Sequence, residues 1–221
     1  MKLEPRRASV TDRPQILIAT HSSHKLGELA ELLRPERAEL VTLDALGIVA
    51  DPIEDGATFE ANARLKARFF ARLSGLPTIA DDSGIEVAAL AGGPGVRTRR
   101  YAGEQATDSQ NNAKLLAALA GLPVAERGAR YVCVLTFVIP DRGGPRGGLP
   151  IAAESRGTLR GRIAGEPRGQ AGFGYDPIFE PLGEPPGGRT LGQQSVAEKA
   201  AISHRSRAAR RLAVRLRGLG Y

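Results

Sequence analysis

Short apolar runs alternate with amphipathic helical segments through the first half of the chain. Residues 16–20, ILIAT, have the length and composition of a buried strand, and residues 26–33 then repeat leucine and alanine at helical spacing. A second strand is predicted at 38–43, and Thr58 is placed to cap a second helix that stops at Gly75. Strands that alternate with helices in this way predict an α/β fold.

The strands of the second half follow one another more closely, which predicts a mixed sheet. A third strand, 77–80, is expected to end at an acidic pair, and 85–90 is expected to continue it after a turn. The apolar run 129–139 is long enough for a central strand, and 151–163 alternates loosely as strand and turn. We therefore predict one α/β unit with a mixed β-sheet, in two lobes with a central cleft.

Two further helices are predicted from their capping signals. One begins at Thr107 or the next residue, and the other opens with the capping box of Ser195 and Glu198. A break in the second helix is expected near Ser203. The segment 165–194 is rich in glycine and proline and is predicted not to be helical.

Composition limits the class of protein. No stretch approaches the roughly 18 unbroken apolar residues that span a bilayer, so no membrane partner is expected. Residues 1–13 lack the apolar centre of a secretory signal and are predicted to be a disordered tail, which leaves 14–221 as a single domain. The single cysteine, Cys133, excludes an internal disulfide, so a cytoplasmic location is predicted. Residues 140–148 are predicted to form a turn or mobile loop.

The charge balance indicates a polyanionic partner. The formal net charge is +7 with a pI near 10.1, which favours either nucleic acid or phosphorylated small molecules. Aromatic residues make up only 5% of the chain and tryptophan is absent, so surfaces for base stacking are few and no nucleic-acid partner is expected. Three histidines and one cysteine also disfavour a zinc site.

The first candidate site is THSSHK, residues 20–25, between a strand and a helix. Backbone N–H groups at a helix start, several hydroxyls and a lysine one turn in are suited to a phosphate chain. The segment lacks the GxxxxGK[ST] pattern of the P-loop. A capped, solvated helix start explains the same residues.

The second candidate is the helix that begins TFEANARLK. Asn62 and Lys66 are four residues apart, so both project from one helix face and can contact a phosphate or a metal-bound water. Glu54 or Asp55, just upstream, can add a carboxylate to a magnesium site. The alternative is that all these charges are simply solvated.

The third candidate is the acidic pair in ADDSG, where Asp81 and Asp82 follow an apolar run. An aspartate near a magnesium ion can take the proton from an attacking water. Because adjacent strand residues point to opposite faces, one carboxylate is expected to face the cleft and the other to brace the turn. A turn without catalytic function is the alternative reading.

The fourth candidate combines GFGYDPIF with EKAAISHR, residues 198–205. Gly172 and Gly174 let the backbone approach a ligand, and Phe173 and Tyr175 offer flat faces for a base. A pair of core aromatic residues is the alternative interpretation.

Five motifs occur in one order: THSSHK, TFEANARLKA, ADDSGIEVAALAGGPGVRTRRYAG, AGFGYDPIF and EKAAISHR. Together they span about residues 15 to 215 and resemble the inosine triphosphate pyrophosphatase family, which includes dITP/XTP pyrophosphatases. The family's signatures are TxNxxK, TFxENAxxKA, ADDSGLxVxxLxGxPGxxSARYAG, GGFGYDPxF and EKxxxSHR. The resemblance implies an elongated mixed sheet flanked by helices, a homodimer, and Mg²⁺-dependent hydrolysis of non-standard purine nucleoside triphosphates (dITP, ITP, XTP) to the monophosphate and pyrophosphate.

The resemblance also implies a role for each matching position. Asp82 is implied to be the general base and a magnesium ligand, and Glu54 matches a carboxylate that binds metal in some members. Lys66 is implied to contact phosphate and Ser83 to contact substrate. The residues implied to line the triphosphate are Thr20, His21, Ser22, Ser23, His24 and Lys25. The residues implied to hold the base and sugar are Phe173, Gly174, Tyr175, Asp176, Lys199, His204 and Arg205.

The chain departs from the family pattern at three places. Ser22 replaces an asparagine, RTRR at 97–100 adds two positive charges, and Gln193 and Gln194 stand where an acidic residue is usual. These departures bear on how tightly and selectively the base is held. ITP, dITP or XTP is still expected to be preferred over ATP and GTP.

The sequence alone leaves three alternative functions open. One is a pyrophosphatase for modified pyrimidine or ordinary nucleotides. Another is an RNA- or DNA-binding module built on the arginine-rich C-terminal helix, with strongly salt-dependent affinity. The last is a family member that binds nucleotide without turnover.

Overall fold

A computed structural model describes residues 13–141 and 149–221. All but the last residue of the predicted tail and most of the predicted loop at 140–148 lie outside these ranges. The helices are α1 (Ser23–Leu33), α2 (Phe59–Ser74), α3 (Asp108–Ala118), α4 (Val196–Ile202) and α5 (His204–Gly218). The strands are β1 (Gln15–Ala19), β2 (Glu39–Thr42), β3 (Thr78–Val87), β4 (Gly128–Val138), β5 (Ile151–Ile163) and β6 (Phe179–Pro181). None of the helices in the described ranges combines the length and the apolarity needed to cross a bilayer.

The six strands form one mixed sheet in the order β2-β1-β3-β4-β5-β6. The β1 strand pairs in parallel with β2 and β3, whereas β3, β4, β5 and β6 are antiparallel neighbours. The predicted α/β fold with a mixed sheet is therefore confirmed.

Helices cover both faces of the sheet, because the strand residues alternate between two apolar clusters. Ile16 and Ile18 of β1 face α1 and α5, whereas Leu17 and Ala19 face α2. A further apolar cluster lies towards the other end of the sheet. It joins the second half of β3 to α3 and to the segment before α4, through Ile85, Val87, Leu115, Tyr131, Leu159 and Leu191. The polar residues of β3 lie between these clusters, which define the two lobes.

The acidic pair lies inside a strand, so the predicted strand end at residue 80 was wrong. The β3 strand pairs with β4 without interruption from Thr78 opposite Val138 to Val87 opposite Ala129. Because β4 supplies backbone partners along its whole length, no turn is needed to satisfy the polar segment. Asp81 therefore does not brace a turn.

The break predicted near Ser203 is confirmed. The α4 helix ends at Ile202, and the Ser203 side chain caps the start of α5 by accepting a hydrogen bond from the Ser206 backbone N–H. The other predicted caps are also present, since Thr58, Thr107 and Ser195 each accept a backbone hydrogen bond at a helix start.

Arginines of α5 cover the edge of β5 where β6 does not reach. Arg207 donates to the Thr158 carbonyl over 2.7 Å and Arg215 donates to the Glu154 carbonyl over 2.6 Å. Arg211 donates to the carbonyl of the strand residue between them. Charged side chains on a free sheet edge oppose pairing with other chains. Part of the basic character of this helix therefore has a structural use.

Gly157 allows α5 to cross β5 at close range. A Cβ atom at this position would lie 2.0 Å from the His204 carbonyl oxygen and 2.5 Å from the Ala208 nitrogen. We expect Gly157→Ala to push α5 off the sheet and to lower the free energy of unfolding by about 2–3 kcal/mol, measured in urea. Gly27→Ala in α1 is the control, because a Cβ there meets nothing within 4 Å. Equal stability of the two variants would contradict this account.

Candidate active site

Every residue to which the resemblance gave a binding or catalytic role lines a single cleft of about 470 Å³. These residues are Thr20, His21, Ser22, Ser23, His24, Lys25, Glu54, Lys66, Asp82, Ser83, Phe173, Gly174, Tyr175, Asp176, Lys199, His204 and Arg205. They come from the start of α1 and the residues just before it, the loop before α2, α2 itself, β3, the segment 173–176, α4 and the start of α5. Their individual roles stay predictions, but their meeting in one cleft is a property of the fold.

Asp82 is a buried carboxylate with two fixed partners. Its Oδ1 lies 3.2 Å from the Lys66 ammonium, and its Oδ2 accepts a hydrogen bond from the Asn62 amide over 3.3 Å. Burial raises the pKa of Asp82, because the attraction of Lys66 only partly offsets the loss of water and the repulsion from Glu54. Because Lys66 only partly offsets the cost of burial, a further cation beside Asp82 would stabilise its ionised form.

Asn62 orients Asp82, which the sequence did not indicate. Its Oδ1 accepts the Gly56 backbone N–H over 2.8 Å while its Nδ2 faces Asp82, and the side chain is 1% exposed. The i, i+4 spacing correctly placed Asn62 and Lys66 on one face. The predicted contact of the Asn62 amide with a phosphate or a metal-bound water is wrong, because Asn62 is covered and does not line the cleft.

Asp81, the neighbouring carboxylate, holds cations in place. It lies 2.9 Å from the Lys25 ammonium and 3.8 Å from the Arg205 guanidinium, and it is 2% exposed. Burial alone would raise the pKa of Asp81, but these two cations hold it well below the usual range. Asp81 is therefore ionised at neutral pH and fixes the side chain of Lys25, the last residue of the segment 20–25.

Glu54 and Asp82 form a pair of carboxylates that suits a magnesium ion. The Lys66 ammonium lies 3.4 Å from Glu54 and 3.2 Å from Asp82, so both acids lie beside the same cation. In residues 13–141 and 149–221 no group of three or more acidic, histidine or cysteine side chains is arranged to hold a metal. Mg²⁺ commonly uses one or two carboxylates and takes its other ligands from water and substrate phosphates, so the pair fits that ion.

Two arginines of the RTRR segment line the cleft, Arg99 and Arg100. The Nη2 of Arg100 donates to the Glu54 carbonyl over 3.0 Å, which ties the loop carrying Glu54 to the 3₁₀ turn Gly95–Arg100. Gln193 accepts the Thr190 backbone N–H in a capping box and does not line the cleft.

The THSSHK segment forms the start of α1. Ser22 is the N-cap and accepts the Lys25 backbone N–H over 3.4 Å, while Thr20 accepts the Ser22 N–H over 3.2 Å. Serine and asparagine are both good N-caps, so the replacement at this position keeps the helix start. The N-terminal end of the helix and Lys25 together give this side of the cleft a positive potential.

Ion pairs fix the cations at the other end of the cleft. Lys199 lies 2.7 Å from Asp176 and 3.4 Å from Glu28, and Arg205 lies 2.6 Å from Glu28. Arg205 also donates to the Ser83 hydroxyl over 3.0 Å. Burial raises the pKa of Asp176, with Lys199 opposing this shift. Glu28 was not among the predicted site residues, although its three-residue spacing from Lys25 on α1 was a usable signal.

The start of α3 holds the loop that carries Phe173. Asp108 accepts the Gly174 backbone N–H over 2.6 Å, and the Asn112 amide donates to the Gly174 carbonyl over 3.1 Å. Nothing in the local sequence connected α3 to this loop. The Tyr175 ring is 1% exposed and donates from its hydroxyl to the Thr98 carbonyl, so the prediction that it offers a flat face to a base was wrong.

His204 is buried against Tyr131. The two rings are stacked with centroids 4.6 Å apart, and the Tyr131 hydroxyl donates to Asp176 over 3.3 Å. Burial and the charge of Arg205 hold the pKa of His204 well below its usual range, so the imidazole is neutral at physiological pH. In the described part of the chain its Nδ1 has no hydrogen-bond partner.

A family model and several known proteins match most of this chain. A family model described as the Ham1 family matches residues 16–215. A dITP/XTP pyrophosphatase of Syntrophobacter fumaroxidans is 47% identical over 87% of this chain and 78% of its own length. A dITP/XTP pyrophosphatase of Methylococcus capsulatus is 44% identical over 94% of this chain and 98% of its own length.

Solved structures show the same fold. A HAM1 protein from Coxiella burnetii is 39% identical and superposes with a TM-score of 0.80 over 93% of this chain and 99% of its own. The Staphylococcus aureus Ham1 protein is 36% identical, with a TM-score of 0.77 over the same share of each chain. With a family model covering most of the sequence and relatives of this identity, the chain belongs to the Ham1 family.

Proposed function

We propose that this protein is a nucleoside triphosphate pyrophosphatase that hydrolyses non-standard purine nucleotides, namely dITP, ITP and XTP, to the nucleoside monophosphate and pyrophosphate. The observation that carries the proposal is the position of Asp82, a buried carboxylate beside Lys66 and Glu54 in a cleft with cations at both ends. The relatives named above as dITP/XTP pyrophosphatases support the same substrate class.

The proposed mechanism assigns the proton transfer to Asp82. Its carboxylate takes a proton from a water molecule that attacks the α-phosphorus, and the bond from that phosphorus to the bridging oxygen breaks to release pyrophosphate. Asn62 keeps the carboxylate in one orientation, and Lys66 offsets the charge on the phosphate oxygens. Asp82 and Glu54 would hold Mg²⁺, which when bound supplies charge neutralisation at the phosphates.

The other cleft residues are proposed to position the two ends of the substrate. The start of α1 and Lys25 bind the triphosphate, and Phe173 with its flanking cations receives the base. Hypoxanthine and xanthine accept a hydrogen bond at position 6, where adenine donates one. A donor such as Lys199 or Arg205 at that edge favours the former and leaves the adenine amino group unpaired.

We further propose that residues 14–221 act as one catalytic domain that forms a homodimer and works in the cytoplasm, where it removes aberrant nucleotides. The support is that β3, β4 and β5 run through both lobes, and that the resemblance implies dimers. Sedimentation velocity of the purified protein tests the assembly, since a sedimentation coefficient of a monomer at micromolar concentration would contradict it.

Pyrophosphate release across a panel of triphosphates tests the activity. We expect release from dITP, ITP and XTP to exceed release from ATP, GTP and dUTP, and to stop when EDTA removes the metal and return when Mg²⁺ is added. Equal rates on all members of the panel would contradict the proposed specificity. Absence of turnover on every triphosphate would contradict the activity, and salt-sensitive oligonucleotide binding in that case would favour a nucleic-acid-binding module.

A further inference from the structure

His24 makes a ring contact that a role in triphosphate binding does not explain. Its imidazole stacks on Phe173 with centroids 5.2 Å apart and an interplanar angle of 14°. The side chain is exposed, and in the described ranges no hydrogen bond or ion pair of its imidazole accompanies the stacking contact. His24 lies in the first turn of α1, so its backbone is held while its ring is free to change rotamer.

Phe173 is the accessible aromatic surface of the cleft. The other phenylalanine and tyrosine rings of the cleft, those of Phe70, Tyr131 and Tyr175, are buried in apolar clusters. The exposed imidazole of His21 lies edge-on to Phe70. Phe173 is half-buried and has glycines on both sides. A purine that stacks on a phenyl ring of this cleft therefore has Phe173 as its partner.

In the described ranges one imidazole and two cations lie against the Phe173 ring, and they differ in how easily they move. The Lys199 ammonium lies 4.6 Å and the Arg205 guanidinium carbon 5.7 Å from the ring centroid. Both cations are buried and held by ion pairs to Glu28 or Asp176. His24 has only the stacking contact, so it is the group that a base displaces most easily.

We propose that His24 competes with the purine base for the ring of Phe173 and so sets how strongly base-bearing ligands bind. This inference deepens the proposed function and rests on it. With its centroid 5.2 Å from that of Phe173, the imidazole covers part of the ring, and a base can stack fully on that face only after the imidazole has moved. Only molecules in which the Phe173 ring is uncovered can bind a base there, so the apparent affinity for base-bearing ligands is reduced in proportion to that fraction. The affinity for a ligand that lacks a base is not reduced.

The test compares binding of inosine monophosphate with binding of ribose 5-phosphate, which lacks the base, by calorimetry. His24→Ala is expected to tighten binding of the monophosphate by about 2- to 10-fold relative to binding of ribose 5-phosphate, the range of one aromatic pair. His24→Phe keeps a stacking ring and is expected not to tighten it. Weaker monophosphate binding in His24→Ala, an equal shift for both ligands, or no shift would each overturn the proposal.

An NMR measurement observes the displacement directly, because the chain has only three histidines. The ring protons of His24, assigned by their loss in His24→Ala, are shielded by the Phe173 ring current and should move downfield when inosine monophosphate is added. Resonances that stay shielded at saturation would show that the base inserts between the two rings, which overturns competition. If the unsubstituted protein turns over no triphosphate, the proposed function has failed; if it does but His24 behaves otherwise, only this inference has failed.

Discussion

Replacing Asp82 by Asn is expected to lower turnover of dITP by on the order of 100-fold or more, the usual contribution of a general base. Asparagine keeps the size of the side chain but cannot accept the proton of the attacking water, and it removes one of the two proposed magnesium ligands. Pyrophosphate release at saturating dITP and Mg²⁺ measures the effect. Glu86→Gln is the matched control, because Glu86 is a carboxylate of the same strand that pairs with Arg130 outside the cleft.

Asp82→Asn should be destabilised less than the neighbouring variant Asp81→Asn when metal is removed. The raised pKa of Asp82 means that the folded protein binds this proton more strongly than the unfolded chain does. Ionisation of Asp82 therefore opposes folding once the pH exceeds its ordinary value, but against the cost of burial its charge also raises the pKa of Lys66 and stabilises that buried ammonium. The two effects oppose each other, so Asp82→Asn should lower the free energy of unfolding at pH 7 in EDTA by less than Asp81→Asn does. Near-full turnover in a folded Asp82→Asn variant would remove Asp82 from the mechanism.

Replacing the adjacent Asp81 by Asn is expected to act mainly on stability. The change leaves Lys25 without its carboxylate partner and leaves the buried Arg205 with Glu28 as its remaining anion. Breaking a buried ion pair costs about 3 kcal/mol or more, so the free energy of unfolding in urea at pH 7 should fall by about 3 kcal/mol. Asp82→Asn serves as the control in the same measurement.

The pH dependence of this stability loss tests whether the lost ion pairs cause it. The pKa of Asp81 is lowered in the folded protein, so its contribution is present at all pH values above its ordinary pKa and is lost as the pH falls through the lowered one. The stability difference between the parent and Asp81→Asn should therefore be full at pH 7 and shrink below about pH 4. A difference that stays constant down to pH 2 would show that the ion pairs are not its cause.

Local patterns in the sequence were sufficient for much of the fold. Caps and periodicity placed the helix that begins after Thr58 and the break at Ser203, because these depend on hydrogen bonds between residues three or four apart. The end of the third strand was misplaced at residue 80. Its continuation depends on β4, some 50 residues later, and no local signal carries that pairing.

The same distinction separates the two aspartates. The order and internal spacing of the five motifs were enough to predict the cleft residues and the family. It did not distinguish the environment of Asp82, held by Asn62 and Lys66, from that of Asp81, held by Lys25 and Arg205. Part of that difference comes from Arg205, which lies more than 100 residues from Asp81 in the sequence. The two side chains meet only after the sheet and both of its helical layers have formed. Likewise, Phe173 and His24 meet only when α1 and the loop before α4 pack against the same edge of the cleft.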